Sequence, residues 1–262
     1  MHGAVYANDL RVKKSRFQPF YLRILKHMQI KNTRPEIRWQ CYESIEALRH
    51  AVCEAIAKSA NEAIAQRGKF SIVLAGGNTP RAIYRLLRDL PMDWAKWHIY
   101  HGDERCLSPS HEDRNSLMVE QVLTHYVAIP KSQIHDIPAE LGPIAGAKAY
   151  AETLKNVDSF DMVILGLGED GHTASLFPNH VVDNSADAVP VFNSPKPPAE
   201  RISLSQSRLN NTREVLFLVT GAGKQQAVDS WRNGVAIPAS LIAPDAMPNK
   251  GVDVYCHEVE LN

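Results

Sequence analysis

The most informative stretch of the sequence is Phe160-Asp-Met-Val-Ile-Leu-Gly-Leu-Gly-Glu-Asp-Gly-His-Thr-Ala-Ser-Leu-Phe-Pro178. Its apolar run, residues 162–165, is typical of a strand buried on both faces of a parallel sheet. A turn with three glycines follows and holds Asp170 and His172 before a short run that could begin a helix. Open α/β sheets bind their ligands at such turns. The stretch therefore predicts an α/β fold with a titratable pair at the end of a central strand.

Two other interpretations of this turn compete with a catalytic one. The glycines of Gly166-x-Gly168-x-x-Gly171 match the dinucleotide-binding fingerprint. That fingerprint requires a following helix and then a strand that ends in an acidic residue about 20 residues later. Residues 179–200 are instead rich in Pro, Asn and Asp, which disfavours a nicotinamide cofactor. The other alternative is structural: Asp170 caps a helix and His172 packs. An isolated Asp-Gly-His motif favours this structural role, so the choice between a structural and a catalytic role depends on motifs elsewhere in the chain.

The composition is that of a globular protein with no preference for nucleic acid or membranes. The chain has 262 residues, 44% hydrophobic and 22% charged, and its formal net charge is zero. Residues 1–35 contain eight Lys or Arg and one acidic residue, so this part is basic and the remainder is acidic. No stretch approaches 18 apolar residues, which predicts no transmembrane helix. We expect residues 1–36 to be a basic N-terminal extension that is poorly ordered, with Met28 as an alternative start.

The four cysteines indicate reduced thiols. Cys41, Cys53, Cys106 and Cys256 are far apart and form no Cys-x-x-Cys pair. This pattern disfavours a disulfide framework and a zinc site. We therefore expect a reducing compartment and a cytoplasmic protein with no metal.

The first predicted strand leads into a candidate phosphate site. Residues 45–64 have helical periodicity after Ser44, a good N-cap, and residues 70–75 are an apolar strand. The sequence Gly76-Gly77-Asn78-Thr79-Pro80 follows, with Thr79 as the expected cap of a helix over residues 81–90. Glycines allow close approach of a ligand, and free N–H groups at a helix start attract anions. Gly77, Asn78 and Thr79 could therefore hold phosphate, although the same motif would also form an ordinary strand-to-helix turn.

Basic residues accompany three further predicted strands. Arg105 follows the strand at residues 97–100 and could bind phosphate or pair with Asp103. Lys224 follows the strand at residues 214–219; the loop lacks the first glycine of a Walker motif, but its lysine can still hold phosphate as a point charge. Arg201 begins a short strand after a proline-rich loop at residues 189–198. Surface ion pairing is the alternative for Arg201, and a solvated helix start is the alternative for Lys224.

Strands and helices alternate from about residue 37 to residue 260. This alternation predicts a single three-layer α/β domain over residues 37–262, with a mostly parallel, Rossmann-like sheet flanked by helices. Right-handed crossovers bring the carboxyl ends of parallel strands to one edge. We therefore expect the glycine turn, the candidate phosphate site and the basic residues to meet there.

These motifs together resemble the glucosamine-6-phosphate isomerase/6-phosphogluconolactonase family over residues 37–260. The resemblance is carried by residues 76–80, Asp103-Glu104-Arg105, the motif from Gly168 to Pro178, Pro195-Lys-Pro-Pro198 with Arg201, and residues 221–224. Deaminases of the family typically have Asp-Glu-Tyr where this chain has Asp103-Glu104-Arg105, and they carry an acidic residue after the histidine motif that this chain lacks. The resemblance therefore favours the lactonase branch. The family commonly has Ser-Asn where this chain has Arg114-Asn115, a change from which we expect little cost.

The resemblance implies hydrolysis of 6-phospho-D-glucono-1,5-lactone to 6-phosphogluconate in the oxidative pentose phosphate pathway. It implies His172 as the general base and Asp170 as the residue that orients it or only caps the turn. Phosphate is then expected on Gly77, Asn78 and Thr79, with Arg105, Arg201 and Lys224 supplying charge. We expect no cofactor, no metal, no macromolecular partner, and a monomer or weak homodimer. The rivals are a sugar-phosphate isomerase or deaminase on the same scaffold and a non-enzymatic sugar-phosphate sensor.

Overall fold

The computed structural model describes residues 35–247 and 250–261. Nearly all of the predicted N-terminal extension, residues 1–36, therefore lies outside the described residues, and its expected disorder stays a prediction. Among the described residues, no helix is long and apolar enough to cross a bilayer. The strands are β1 (Ile37–Cys41), β2 (Phe70–Leu74), β3 (Trp97–His101), β4 (Asp103–Arg105), β5 (Ile134–His135), β6 (Phe160–Gly166), β7 (Ala188–Val191), β8 (Arg201–Leu204), β9 (Thr212–Thr220) and β10 (Val252–His257).

The main sheet of the described residues is parallel throughout and has the strand order β1-β10-β9-β6-β2-β3-β5. The predicted fold class is thus confirmed. Strand β6 lies in the middle of the main sheet. Neighbouring side chains of a strand point to opposite faces, and here both faces are buried. Val163 packs in the cluster on one face, and Met162 and Ile164 pack in the cluster on the other. Burial on both faces explains the uninterrupted apolar run of this strand.

Helices cover both faces of the sheet and complete the three layers. The α-helices are α1 (Ile45–Arg67), α2 (Asn78–Leu87), α3 (Asn115–Val119), α4 (Pro143–Leu154), α5 (Gln206–Asn210) and α6 (Gln225–Arg232). A π-helical turn, Glu120–Thr124, continues α3. Short 3-10 turns occur at Trp94–Lys96, Lys131–Gln133, Ala139–Leu141, Ala222–Lys224 and Pro238–Leu241. Helices α1 and α2 pack on one face, and α4 and α6 pack on the other.

Helix α1 shows how the sequence sets the helix boundaries. The Ser44 side chain accepts a hydrogen bond from the Ala47 N–H at 3.1 Å, as expected of an N-cap. Gly68 ends the helix with a φ of 75°, a left-handed conformation that glycine adopts without a Cβ penalty. Helix α2 differs from the prediction: it begins at Asn78 with Gly77 as its N-cap. The Thr79 hydroxyl caps nothing and instead bonds to the Thr220 hydroxyl at 2.7 Å.

A second, antiparallel sheet of the described residues has the order β4-β8-β7 and was not predicted. Asp103–Arg105 forms β4, which pairs with β8 and follows β3 directly. Residues 188–191, predicted to be part of a proline-rich loop, form strand β7. Proline lacks the N–H that a central strand needs, so it masked the strand in the sequence, but an edge strand tolerates it. The edge strand β1 was also missed, because its five residues precede a strong helix signal.

The prediction that all four cysteines are reduced thiols is wrong for one pair. Cys41 and Cys256 are joined by a disulfide, whereas Cys53 and Cys106 are free. The two bonded residues are 215 positions apart in the sequence, but they lie opposite each other where β1 and β10 pair in parallel. Only the strand order brings them together, so cysteine spacing could not reveal the pair.

Two histidines at the β3–β5 edge should make the fold sensitive to acid. The rings of His98 and His135 are stacked at 5.8 Å, and His135 stacks on Tyr100 at 4.4 Å. Burial lowers the pKa of His98, with Lys69 acting in the same direction. Burial also lowers the pKa of His135, and the nearby His98 lowers it further. Both rings therefore bind protons less readily in the folded state than in the unfolded one.

The free energy of unfolding should fall as the pH drops below about 6.5, the ordinary histidine pKa, because the unfolded state then binds more protons. We expect the pair to account for a loss on the order of 1 kcal/mol between pH 7.5 and pH 5. This loss of stability is measured by urea unfolding at both pH values. The wild type is compared with the double variant His98→Gln/His135→Gln. The double variant should lose less stability over this range, and an unchanged pH dependence would contradict the prediction.

Candidate active site

The predicted site residues converge on one cavity at the carboxyl edge of the main sheet. Its volume is about 210 Å³, and its lining includes Gly77, Arg105, His172, Arg201 and Lys224. Strands β2, β6 and β9 end beside it, which is where parallel α/β sheets place ligands. Larger cavities of about 420 and 470 Å³ lie elsewhere. The chemistry of the lining residues, rather than the size, therefore identifies this cavity as the candidate active site.

His172 and Asp170 form a hydrogen-bonded pair at the cavity. His172 Nδ1 lies 2.5 Å from Asp170 Oδ1, and the His172 backbone N–H donates to the same oxygen at 3.1 Å. Burial alone would raise the pKa of Asp170, but these hydrogen bonds from His172 hold it below its ordinary value. An ionised Asp170 accepts the Nδ1–H and so leaves Nε2 as the free proton acceptor. The His172 side chain is 17% exposed, which leaves it open to the cavity.

The glycines of the turn are explained by the close packing of this histidine. A Cβ on Gly168 would lie 2.0 Å from His172 Nδ1. Gly171 has a φ of 87°, and a Cβ there would lie 2.8 Å from Ile237 Cβ. The turn therefore needs glycine for space at the first position and for its left-handed conformation at the second.

Gly168→Ala should lower kcat at least about tenfold, because the added methyl displaces the imidazole and removes part of its contribution as a base. Steady-state kinetics of the variant and of Gly166→Ala, where a Cβ meets no atom within 4 Å, measure the effect. The Gly166 variant should change kcat far less. Equal losses in both variants would show that the contact with His172 is not what matters.

The expected helix after His172 does not form. Residues 173 and 176 make an isolated bridge, and Ala174 has a positive φ of 47°. Backbone N–H groups of a turn can stabilise a developing oxyanion. Those of Gly168, Gly171, His172 and Thr173 already donate within this turn, to His172 O, Gly168 O, Asp170 Oδ1 and Leu176 O. These four N–H groups are therefore not free to bind an oxyanion.

Two arginines face each other across the small sheet at the cavity. Arg105 on β4 is directly opposite Arg201 on β8. Opposed like charges destabilise a strand pair unless an anion lies between them. Burial lowers the pKa of Arg201, Asp103 opposes that effect, and Arg105 adds to it. Two cations placed in this way would suit an anionic group of a ligand.

Arg201 also holds the neighbouring loop. Its guanidinium donates to the carbonyl oxygens of Lys196, Pro197 and Pro198 at 2.9, 3.1 and 3.2 Å, and the Pro197–Pro198 peptide is cis. Its NH1 lies 3.9 Å from Asp103 Oδ2. Much of the donor capacity of Arg201 is therefore used to shape the loop that carries Lys196 to the cavity.

Lysines complete the positive wall of the cavity. Lys224 is the N-cap of α6, and burial lowers its pKa while Glu169 acts in the opposite direction. Its side-chain ammonium makes no hydrogen bond or ion pair with the described residues. Lys196 also lines the cavity and lies 3.6 Å from the exposed carboxylate of Glu169. A half-buried ammonium without a partner is well suited to take up an anionic group of a ligand.

Two residues that were predicted to bind phosphate do not line the cavity, and several residues that were not predicted to bind substrate do. Asn78 and Thr79 begin α2 but do not line the cavity, whereas Gly76 and Gly77 do. Asp103, Asn115 and Lys196 line the cavity, although none was predicted to bind substrate. Lys196 could have been found from the Pro-Lys-Pro-Pro motif, whereas the place of Asn115 depends on how α3 packs against β4.

Comparisons with known proteins agree with this geometry. The family model described as glucosamine-6-phosphate isomerases/6-phosphogluconolactonase matches residues 43–251. A 6-phosphogluconolactonase of Synechocystis sp. is 36% identical over 199 residues, which cover 72% of this chain and 78% of the relative. One of Mycobacterium leprae is 35% identical over 204 residues, covering 71% of this chain and 83% of the relative.

Among solved structures, a 6-phosphogluconolactonase from Thermotoga maritima shares the fold, with a TM-score of 0.79 and 24% identity. The match covers 85% of this chain and all of that one. The family match spans strands β2 to β9 and every cavity residue named above. This chain therefore belongs to the glucosamine-6-phosphate isomerase/6-phosphogluconolactonase family.

Proposed function

We propose that this protein hydrolyses 6-phospho-D-glucono-1,5-lactone to 6-phosphogluconate, a step of the oxidative pentose phosphate pathway. The observation that carries the proposal is the His172–Asp170 pair in the same cavity as Arg105, Arg201 and Lys224. The relatives from Synechocystis sp. and Mycobacterium leprae are both 6-phosphogluconolactonases. A base beside a cluster of cations suits a neutral ester that carries a phosphate.

His172 is the general base in this mechanism. Its Nε2 accepts a proton from water, and the resulting hydroxide attacks the lactone carbonyl carbon. The C1–O5 bond of the tetrahedral intermediate then breaks, and the imidazolium returns the proton to the ring oxygen. One water is consumed, and histidine ends the cycle neutral. Asp170 orients the ring, fixes its tautomer and stabilises the imidazolium, as its hydrogen bond to Nδ1 allows.

The substrate phosphate binds in the positive part of the cavity. Lys224 is the principal ligand, because it is half-buried and has no protein partner among the described residues. Arg105 and the available face of Arg201 add charge, and backbone N–H groups at Gly77 and the start of α2 add hydrogen-bond donors. Asn78 and Thr79 contribute through the position of their backbone. Their side chains lie outside the cavity lining.

Neither rival function has comparable support. A deaminase would be expected to carry an acidic residue after the histidine motif, where this chain has Thr173-Ala-Ser-Leu-Phe177. A sensor would need no base held at 2.5 Å by a carboxylate. A cytoplasmic location and a monomeric or weakly dimeric state are further parts of the proposal that need their own measurements.

The direct test is a lactonase assay on purified protein with freshly prepared phosphorylated lactone, coupled to oxidation of the product acid. Spontaneous hydrolysis has to be subtracted. The protein should accelerate hydrolysis well above this background and should release no ammonia from an amino-sugar phosphate. Ammonia release without lactone hydrolysis would overturn the proposal in favour of the deaminase.

A further inference from the structure

Arg114 is a buried arginine one residue before Asn115, which lines the candidate active site. It immediately precedes α3, and its side chain is 3% exposed. All three guanidinium nitrogens have partners. Nε donates to Ser116 Oγ at 3.3 Å and lies 3.2 Å from Glu104 Oε2. NH1 donates to Leu107 O at 3.0 Å and to Glu140 Oε2 at 3.1 Å, and NH2 donates to Ile137 O at 3.0 Å. The expectation that Arg114 has little cost stays a prediction.

Its main charged partner, Glu104, is fully buried and holds the start of α3. One carboxylate oxygen accepts the backbone N–H groups of Arg105 and Asn115, both at 2.8 Å. The other accepts the N–H and the hydroxyl of Ser116, also at 2.8 Å. Glu104 is therefore a cap supplied by β4. Removing the cationic partner of a buried acidic side chain is strongly destabilising.

The same contacts continue to the wall of the cavity. Asn115 Nδ2 donates to the backbone oxygen of Asp103 at 2.9 Å and to its Oδ1 at 3.1 Å. Ser175, on the segment that follows His172, donates to Asp103 Oδ2 at 2.5 Å. Asn115 is packed so closely against Gly76 that a Cβ there would lie 1.9 Å from Asn115 Oδ1. A shift of α3 would therefore move both Asp103 and the Gly76–Gly77 turn.

We propose that Arg114 is a positioning residue for the reaction: it ties Glu104 to the segment before α4, Glu104 holds the first turn of α3, and Asn115 and Asp103 pass this fixed position on to the cavity. Arg114 does not touch the substrate. This inference rests on the lactonase function proposed above.

The other charges around Glu104 do not replace Arg114. Arg201 from β8 is a second cation near Glu104, but its guanidinium is bonded to the loop at residues 196–198. Cys106 also lies near Glu104, and its thiol offers no positive charge. The remaining charged residues around Glu104 are its sequence neighbours Asp103 and Arg105 and the Arg114 partner Glu140. Without Arg114, Glu104 would lose the cation that lies 3.2 Å from it, and the first turn of α3 would lose its link to the segment before α4.

The test compares Arg114→Ser, which removes the guanidinium, with Arg208→Ser as a matched control. Arg208 is 4% exposed, bonds to Val157 O at 2.7 Å and stacks over Phe160. It lies beside the amino end of β6, on the opposite edge of the sheet from the cavity. Both variants lose a buried arginine, so both should unfold at lower temperature. Only Arg114→Ser should lower kcat.

Arg114→Ser should lower kcat by about tenfold or more, because a shift of α3 misplaces the groups that line the cavity. Arg208→Ser should leave kcat unchanged, because Arg208 lies away from the cavity. Arg114→Lys keeps a positive charge beside Glu104 but cannot reach all five partners of the guanidinium. Its kcat should therefore lie between those of the wild type and Arg114→Ser.

A wild-type kcat in Arg114→Ser, with loss of stability alone, would overturn the inference and leave the proposed function intact. If Arg114→Ser does not fold, Arg114→Lys decides: a kcat equal to that of the wild type would overturn the inference. A partly reduced kcat, with a fall in thermal stability no larger than that of Arg208→Ser, would support it. A wild-type protein without lactonase activity is a separate outcome that refutes the proposed function itself.

Discussion

His172→Asn is expected to lower kcat by about 10²–10⁴, the usual contribution of a positioned general base. Asparagine has no basic nitrogen and cannot accept a proton from water. The fold should survive, because the conformation of the turn depends on Gly168 and Gly171 rather than on the imidazole. The product acid should still bind, because its phosphate contacts lie on other elements. Steady-state kinetics, with spontaneous hydrolysis subtracted, and product binding by calorimetry measure the two effects separately.

The matched control is His50→Asn. His50 is exposed on α1, which packs on a face of the sheet rather than at the cavity. His50→Asn should leave kcat within about a factor of two of the wild-type value, as expected of an exposed surface substitution. If His172→Asn keeps more than about a tenth of the wild-type kcat, a base contribution of the expected size is ruled out. Asp170 would then be the next candidate for the base.

Lys224→Ala is expected to raise KM for the phosphorylated lactone about 10–100-fold, the effect of losing one hydrogen bond to a charged group. KM for the unphosphorylated lactone should change little, because that substrate has no phosphate for the ammonium to bind. The comparison of the two substrates therefore separates phosphate recognition from a general disturbance of the site. It also tests whether the half-buried Lys224 without a protein partner is placed there for a ligand.

Lys155→Ala is the control for the loss of one positive charge. Lys155 is 65% exposed and pairs with Glu152 on the surface at the end of α4. Its removal should change neither KM, since exposed pairs contribute little and their charge is screened. Equal increases in KM for both lactones in Lys224→Ala would mean that the lysine is structural. The phosphate site would then have to be assigned to Arg105 and Arg201.

Local signals in the sequence were sufficient for the main sheet except its edge strand β1. Continuous apolar runs identify the strands that are buried on both faces, such as β6 and β9, because burial leaves no position for a polar residue. Ser44 marks the start of α1 because caps depend on local backbone geometry. The Asp-Gly-His turn and the basic residues after the strands could be placed at one edge because parallel strands with right-handed crossovers end on the same side.

Contacts between residues distant in sequence were decided by the tertiary structure alone. The Cys41–Cys256 disulfide exists because β1 and β10 are neighbours in the sheet, and nothing in the spacing of the cysteines indicates this. Strand β7 forms because β8 provides hydrogen-bond partners at an edge where Pro190 is tolerated. The importance of Arg114 depends on Glu104, Glu140 and Ile137 meeting around one guanidinium. A buried charge acquires its role from the partners that the fold brings to it, and these partners lie on β4 and on the segment before α4, outside any local sequence motif.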